Sequence, residues 1–372
     1  MYRTDELVRI AKREKNRKRS YLFVNPLQGK HIPADPVEVD RLCKCLAEEI
    51  NKDYSEKRKM VIGFAETATG ISAAVCGYLD NVAFFEHTTR EYRDTNEYIY
   101  FTESHSHAKD QLLDMDGLDK AVSSVDMIIL IDDEITTGNT VCKLIDQIKE
   151  KYSFSGEFVI ASFVNSMTDE RITELKSRGI ECEYVIRIPH EYKAELAEKV
   201  DEISNPDCEY DIADDEIAAG CVSLSINPRK PVQWVSYLGD MQAASDEIIR
   251  ECDFDKSDRV CVIGTEEFMF LTICLGKKLL QSGVVSDVRI HSTTRSPIIP
   301  SSQEGYPLNS RYKLASFYEK DRVTYIYNLA GYDKVIVVTD GRTDTDGVRN
   351  LVSAIRSVGN KSVYVYGCEY EK

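Results

Sequence analysis

A chain of 372 residues is longer than one ordinary α/β core, so two domains are expected, and 42% hydrophobic with 30% charged residues describes a globular protein. No apolar run reaches roughly 18 residues and the N-terminus is charged, which argues against a membrane span or a secretory leader and for the cytoplasm. The net charge of −16 argues against nucleic-acid binding through the whole surface, and the eleven scattered cysteines, of which only Cys43 and Cys45 lie close together, match neither a zinc nor a redox spacing.

Residues 1–19 oppose that balance with eight Lys/Arg, a run that is more often a solvated helix face than an RNA contact. Apolar spacing predicts an amphipathic helix near residues 4–14, followed by the strand YLFVNP. Pro33 and Pro36 keep LQGKHIPADP out of a helix, which leaves Lys30 and His31 on an extended surface loop, either as ordinary exposed residues or as groups that close over a base. Val39, Leu42, Leu46 and Ile50 then recur at helical spacing.

KMVIGFAETATGISAAVCGYL (59–79) reads as a buried strand, a loop of small and polar residues from Phe64 to Thr69, and an Ala-rich helix, the βα crossover of a parallel sheet. Val82 to Thr88 and Glu97 to Phe101 read as two further strands. If residues 101–107 are extended, Glu103, His105 and His107 share a face, one arrangement that binds a metal.

The most informative stretch is IILIDDEITTGNT (128–140), in which four apolar β-formers lead into two aspartates and a Thr/Gly turn opens a helix carrying Val141, Leu144, Ile145 and Ile148. Small residues at a helix start aim backbone N–H groups and the positive dipole end at one spot, an arrangement suited to a phosphate. Gly138 permits close approach, Thr136, Thr137 and Thr140 add hydroxyl donors, and Asn139 completes the cradle. Asp132 and Asp133 would repel a phosphate and suit instead the cis-hydroxyls of a sugar or a Mg²⁺ ion. An acid pair beside a monophosphate cradle fits ribose 5-phosphate better than ATP, and the chain has no GxxxxGK[ST] sequence. The plainer alternative is a strand-to-helix turn in which Asp133 or Thr137 merely caps.

Residues 128–140 resemble the PRPP-binding motif of type I phosphoribosyltransferases. That resemblance implies a Rossmann-like parallel sheet, Mg²⁺ as cofactor held directly or indirectly by Asp132 and Asp133, and a first βα loop in which Ala65, Glu66 and Thr67 face pyrophosphate. It also implies a catalytic loop over PRPP, which Arg90, Glu103, His105 and His107 match in position, without the lysine-rich loop of the orotate type. The strand, helix and strand pattern of residues 157–187 agrees with that core.

Ten Asp/Glu against one Lys over residues 194–218 mark a boundary, which divides the chain into a domain at 1–195 with an N-terminal hood-like segment, an acidic linker at 196–232 and a second domain at 233–372. The second half echoes the first: DRVCVIGTEE repeats KMVIGFAET, IHSTTR repeats EHTTR, and KVIVVTDG repeats MIILIDDE with Asp340 in the place of Asp133. The expected architecture is therefore a type I phosphoribosyltransferase-like α/β domain followed by a degenerate α/β domain of similar topology, whose Thr339 and Asp344 replace the first aspartate and Thr137.

The whole chain is similar to bacterial proteins that join a phosphoribosyltransferase domain to a TRSP domain in tellurite-resistance-associated clusters. LQGKHIP, VIGFAETATG, TESHSHA, IDDEITTGNT and the STTR and VTDG stretches carry that likeness. It implies transfer of ribose 5-phosphate from PRPP to a base or base-like acceptor for a nucleotide-like metabolite, and an internal pseudo-dimer that leaves room for further homo-oligomers. The rival expectation is a non-catalytic PRPP- or nucleotide-binding regulatory protein.

Overall fold

The computed structural model describes residues 2–14, 20–92, 97–101, 111–189, 200–204 and 217–370, arranged in two compact units. Unit one comprises Met1–Arg3, Arg41–Glu191 and Ser225–Asp240; unit two comprises Thr4–Asp40, Tyr192–Leu224 and Met241–Lys372. These are not the sequence-derived domains. Residues 4–40, assigned above to the first domain, belong to unit two, and residues 225–240 belong to unit one. Among the described residues no helix is long and apolar enough to cross a membrane.

The N-terminal expectations need correction. Only Thr4–Leu7 is helical (α1), because Arg9–Lys12 (β1) alternates outward and inward and pairs antiparallel with Tyr21–Val24 (β2). Lys30 and His31 are buried in unit two, where the Lys30 ammonium rests on the Glu266 carbonyl and 3.2 Å from the Ser292 hydroxyl. Pro36–Tyr54 forms the expected helix, α2.

The first sheet is centred on Lys59–Gly63 (β3), with Val82–His87 (β4) on one side and Met127–Ile135 (β7), Glu157–Asn165 (β8) and Ile180–Arg187 (β9) on the other, all parallel. Met127 to Ile131 are fully buried, as a parallel strand covered on both faces requires. The covering elements are Thr69–Cys76 (α3), Leu118–Ser123 (α4), Asn139–Tyr152 (α5) and Asp169–Ser177 (α6). A hairpin of Tyr98–Phe101 (β5) and Gln111–Asp114 (β6) follows β4 in the chain.

Ala218–Leu224 (β10) is a strand in what composition read as an acidic linker; its residues are small and apolar, and Gly220 gives the Tyr366 ring room that any side chain would close. Val232–Gln233 (β11) then adds antiparallel to β4 and opens Trp234–Glu251 (α7).

The second sheet orders Arg259–Gly264 (β12) between Asp287–Ser292 (β13) and Lys334–Thr339 (β16), followed by Ser362–Tyr370 (β17) and β10, all parallel. Phe270–Ser282 (α8) and Asp346–Ser357 (α9) follow β12 and β16, and the hairpin Arg311–Ala315 (β14) with Val323–Tyr327 (β15) follows β13. Gly264 allows α8 to start against the sheet, since a Cβ there would lie 2.5 Å from the Phe268 carbonyl oxygen.

His291, fully buried on β13, donates to the Tyr327 carbonyl at 2.6 Å. Burial pushes its pKa down to about 4, with Lys30 adding to the fall and the Tyr327 and Gly29 backbone opposing it. The folded value lies below the unfolded one, so its stabilising contribution is complete at neutral pH and is lost as pH falls through the window from about 6.5 to about 4. Between pH 7 and pH 4 the wild type should therefore lose about 3 kcal/mol more unfolding free energy than His291→Gln. Denaturant melts at the two pH values check this, and equal losses would show that His291 does not carry the effect.

Candidate active site

The register of β3 against β7 pairs Gly63 with Ile131, so the loop leaving β3 starts beside the residue that precedes the acid pair. The Phe64 N–H donates to the Ile131 carbonyl at 2.9 Å, continuing the ladder one residue into the loop. The Ala65 N–H then donates to the Thr88 hydroxyl at 2.8 Å, and that hydroxyl donates to Gln111 Oε1 at 2.7 Å. The Ala65–Glu66 peptide is cis. Thr67 crosses to the neighbouring loop, its hydroxyl donating to Asp133 Oδ1 at 2.7 Å.

β7 runs through the acid pair instead of ending before it, because Asp132, Glu134 and Ile135 remain in register with Ser162, Val164 and Asn165 of β8. Asp132 and Asp133 are half-buried, and the Asp132 carboxylate accepts the Asp133 N–H at 2.9 Å. Thr136 and Thr137 turn the chain, and Gly138 at φ +67° precedes α5, an orientation that favours glycine. The Asn139 N–H donates to the Thr137 hydroxyl at 3.4 Å, and the first turn of α5, whose N–H groups have no intrahelical acceptor, carries the dipole's positive end just after the acid pair in the chain.

Arg171 on α6 was not singled out by sequence. Its Nε donates to the Thr137 carbonyl at 2.9 Å and an Nη to Asn139 Oδ1 at 3.2 Å, while Glu174 holds the other Nη at 2.7 Å. It thus clamps both shoulders of Gly138. The contact spans more than thirty positions (|i−j| = 34 and 32), so no local pattern announces it.

The structure therefore brings together Ala65, Glu66, Thr67, Asp132, Asp133 and the residues from Thr136 to Thr140 at one edge of the first sheet. Arg90 lies just past β4, half-buried, after Thr89 has exchanged two backbone hydrogen bonds with Leu112. Glu103, His105 and His107 lie outside the described residues. Among the described residues no group of three or more His, Cys, Asp or Glu is arranged to hold a metal ion. The Asp132 and Asp133 carboxylates are hard oxygen donors of the kind Mg²⁺ takes one or two at a time, together with oxygens of a bound phosphate, so the pair fits that ion.

A family model described as phosphoribosyl transferase matches residues 7–195, and one described as the TRSP domain C-terminal to it matches residues 236–355. No curated protein matches. Among solved structures, adenine phosphoribosyltransferase from Rhodothermus marinus is 12% identical over 49% of this chain and 94% of its own, with a TM-score of 0.33. Orotate phosphoribosyltransferase from Aeropyrum pernix is 14% identical over 50% and 90%, with a TM-score of 0.32. The adenine enzyme from Giardia lamblia complexed with 9-deazaadenine is 13% identical over 50% and 95%, with a TM-score of 0.34.

Arg171→Ala should loosen the turn around Gly138 without touching the acid pair. The expected result is anion binding at the cradle weakened by about five- to thirtyfold, the equivalent of 1–2 kcal/mol for a lost charged hydrogen-bond clamp, with the melting temperature little changed. Calorimetric titration checks it, and unchanged affinity would make Arg171 a surface residue.

Proposed function

The chain belongs to the phosphoribosyl transferase family, joined to a TRSP domain, and is an enzyme of that class; from this premise we propose that it moves ribose 5-phosphate from PRPP·Mg²⁺ to a base or base-like acceptor, releasing pyrophosphate. The observation that carries the reading is the Thr67–Asp133 hydrogen bond, which sets a loop of small residues and the acid pair beside a helix N-terminus. Positive charge develops on the ribose as C1 loses pyrophosphate, so the protein's task is positioning and neutralising the leaving group. In this assignment the cradle from Thr136 to Thr140 anchors the 5-phosphate, Asp132 and Asp133 hold the ribose hydroxyls, and Ala65, Glu66 and Thr67 face the pyrophosphate. Arg90, with Glu103, His105 and His107, supplies the closing charge and proton traffic. Mg²⁺, held by Asp132 and Asp133 directly or through water, would neutralise the phosphate oxygens when bound. The product is a nucleotide-like metabolite, and the cytoplasm is the place of action.

We also infer that unit two is a second copy of the same fold. Its strand order β13-β12-β16-β17-β10 follows that of unit one, β4-β3-β7-β8-β9, although β10 precedes its neighbours in the chain where β9 follows. Matched hydrogen bonds support the equivalence. Thr88 and Thr293 each donate N–H to the glycine that ends the neighbouring strand, at 2.8 and 3.0 Å, and each hydroxyl accepts from the loop residue two positions after that glycine. The lead segments match too, since Asn25 and Asn227 accept from Leu27 and Arg229 at 2.9 and 3.0 Å in the same Asn-Pro turn. Each lead then pairs with an edge strand, Ala34 with Ile290 and Val232 with Phe85, and each does so in the unit otherwise built from the other half. Reciprocal exchange of equivalent segments is what a dimer folded within one chain would leave, as in domain swapping.

Two measurements test the activity. PRPP with Mg²⁺ should bind the wild type and, at about a hundred times its Kd, add roughly 2.7 kcal/mol of stability, while Asp132→Asn/Asp133→Asn loses most of that gain. Calorimetry in which neither protein has affinity for PRPP would sink the proposal, and binding without pyrophosphate release across a panel of bases would favour a regulatory protein. Alanine at both His105 and His107 should lower kcat by about ten- to ten-thousandfold with a smaller loss of PRPP affinity. Unchanged turnover would remove the two histidines from the chemistry.

A further inference from the structure

We propose that the second unit keeps a phosphate-sized anion site that is occupied by its own side chain, the Glu266 carboxylate, and that this internal anion is what bars pyrophosphate and PRPP from it. The inference rests on reading Ala65, Glu66 and Thr67 as the pyrophosphate loop of unit one and on the equivalence of the two units. That equivalence places Glu266 where unit one has Ala65, since both N–H groups donate to the threonine hydroxyl that follows the neighbouring strand, at 3.0 and 2.8 Å. Unit one carries only a methyl group at this position. In unit two a carboxylate fills it.

The surroundings of Glu266 are those of a bound oxyanion. The side chain is fully buried; Oε2 accepts Arg295 Nε at 2.7 Å and Arg322 Nη1 at 3.0 Å, and Oε1 accepts the Ser316 hydroxyl at 2.5 Å. Arg295 follows β13 as Arg90 follows β4, and the Arg295 and Arg322 side chains are nearly buried, at 13% and 11% exposure. Arg295 Nη2 also reaches Glu267 at 3.0 Å, Arg322 pairs with Glu319, and Lys30 sits on the Glu266 carbonyl. Two arginines thus face three carboxylates, Glu266, Glu267 and Glu319, with Glu266 the one that both share. Two arginines and a hydroxyl around one anion are the donors that otherwise recognise phosphate. Glu266 itself stands at φ +46°, the left-handed region in which a side chain other than glycine's is uncommon. Removing its carboxylate takes away the acceptor that Arg295 and Arg322 share.

Glu266→Ala in the full chain tests this, with inorganic pyrophosphate as the titrant and binding stoichiometry as the readout. The wild type is expected to bind one pyrophosphate per chain, in unit one, and Glu266→Ala two; Glu266→Gln, which keeps the volume and loses the charge, should stay at one. If the activity proposed above is wrong, the counts become none and one, so the step between the proteins still reports on Glu266 alone. An unchanged count in a folded Glu266→Ala protein would overturn the proposal. Should that variant fold only when pyrophosphate is present, the count in that condition decides: one more per chain than the wild type binds upholds the proposal, and an equal number overturns it. Should it fail to fold in either condition, crystals of the wild type soaked in pyrophosphate decide: density for the anion between Arg295 and Arg322 overturns the proposal, and Glu266 alone in that place upholds it.

Discussion

The alignment of β3 with β7 is the constraint on which the site depends. In a parallel pair, side by side and in register, both strands deliver their outgoing loops to the same edge of the sheet. Gly63 opposite Ile131 fixes the stagger, and the Phe64 amide on the Ile131 carbonyl locks the first residue of one loop to the last buried residue before the other's acid pair. From there the Thr67 hydroxyl needs only to cross to Asp133. A shift of register by one residue would move every side chain of β3 to the opposite face and separate the loops, so the buried runs of β3 and β7 serve the site as much as the core.

The loops themselves are held by a second set of contacts that the strands do not supply. Thr88 and Gln111 support the Ala65 amide from the β4 and β6 side, and Arg171 supports the Thr137 turn from α6. Both supports are polar groups fixed by regular elements, the arrangement that keeps a ligand-binding loop from relaxing when no ligand is there to order it. The cradle at Gly138 is therefore positioned by three elements, β7, α5 and α6, of which only the first two are adjacent to it in sequence.

What was legible in the sequence follows the range of the interactions. The buried strands, α2, α6 and the acid pair with its Thr/Gly turn are readable because apolar runs, helical spacing and helix-start residues are local signals. The basic N-terminus was misread as a helix because Arg9–Lys12 takes its structure from pairing with Tyr21–Val24, a partner the helical count ignores. Pro33 and Pro36 predict a surface loop for Lys30, whereas its buried ammonium is satisfied by Glu266 and Ser292, more than two hundred residues away along the chain (|i−j| = 236 and 262). The acidic composition around β10 hid a strand, since Ala218–Leu224 is itself uncharged and the charges belong to the residues before it. One readable signal was passed over: Asn-Pro occurs at 25 and again at 227, and each asparagine caps the turn that leads to an edge-strand pair.

The two units also show one physical rule acting on different chemistry. Glu86 on β4 and His291 on β13 each stand one residue before the strand end, and each is fully buried. Burial penalises whichever form is charged. It therefore pushes the Glu86 carboxyl well above the usual range, with Asp114 adding to the rise, and pushes the His291 imidazole down to about 4. An acid raised and a base lowered are both biased towards the neutral form, so two opposite residue types answer to the same burial. The loop position after β3 and β12 behaves the other way. Glu266 is buried where unit one carries Ala65, and the chain has met the cost of its charge by surrounding it with Arg295, Arg322 and Ser316 rather than by neutralising it. Within β4 and β13 burial acts on Glu86 and His291 by favouring their neutral forms, whereas past the end of β12 the buried Glu266 carboxylate is met by two arginines and a hydroxyl.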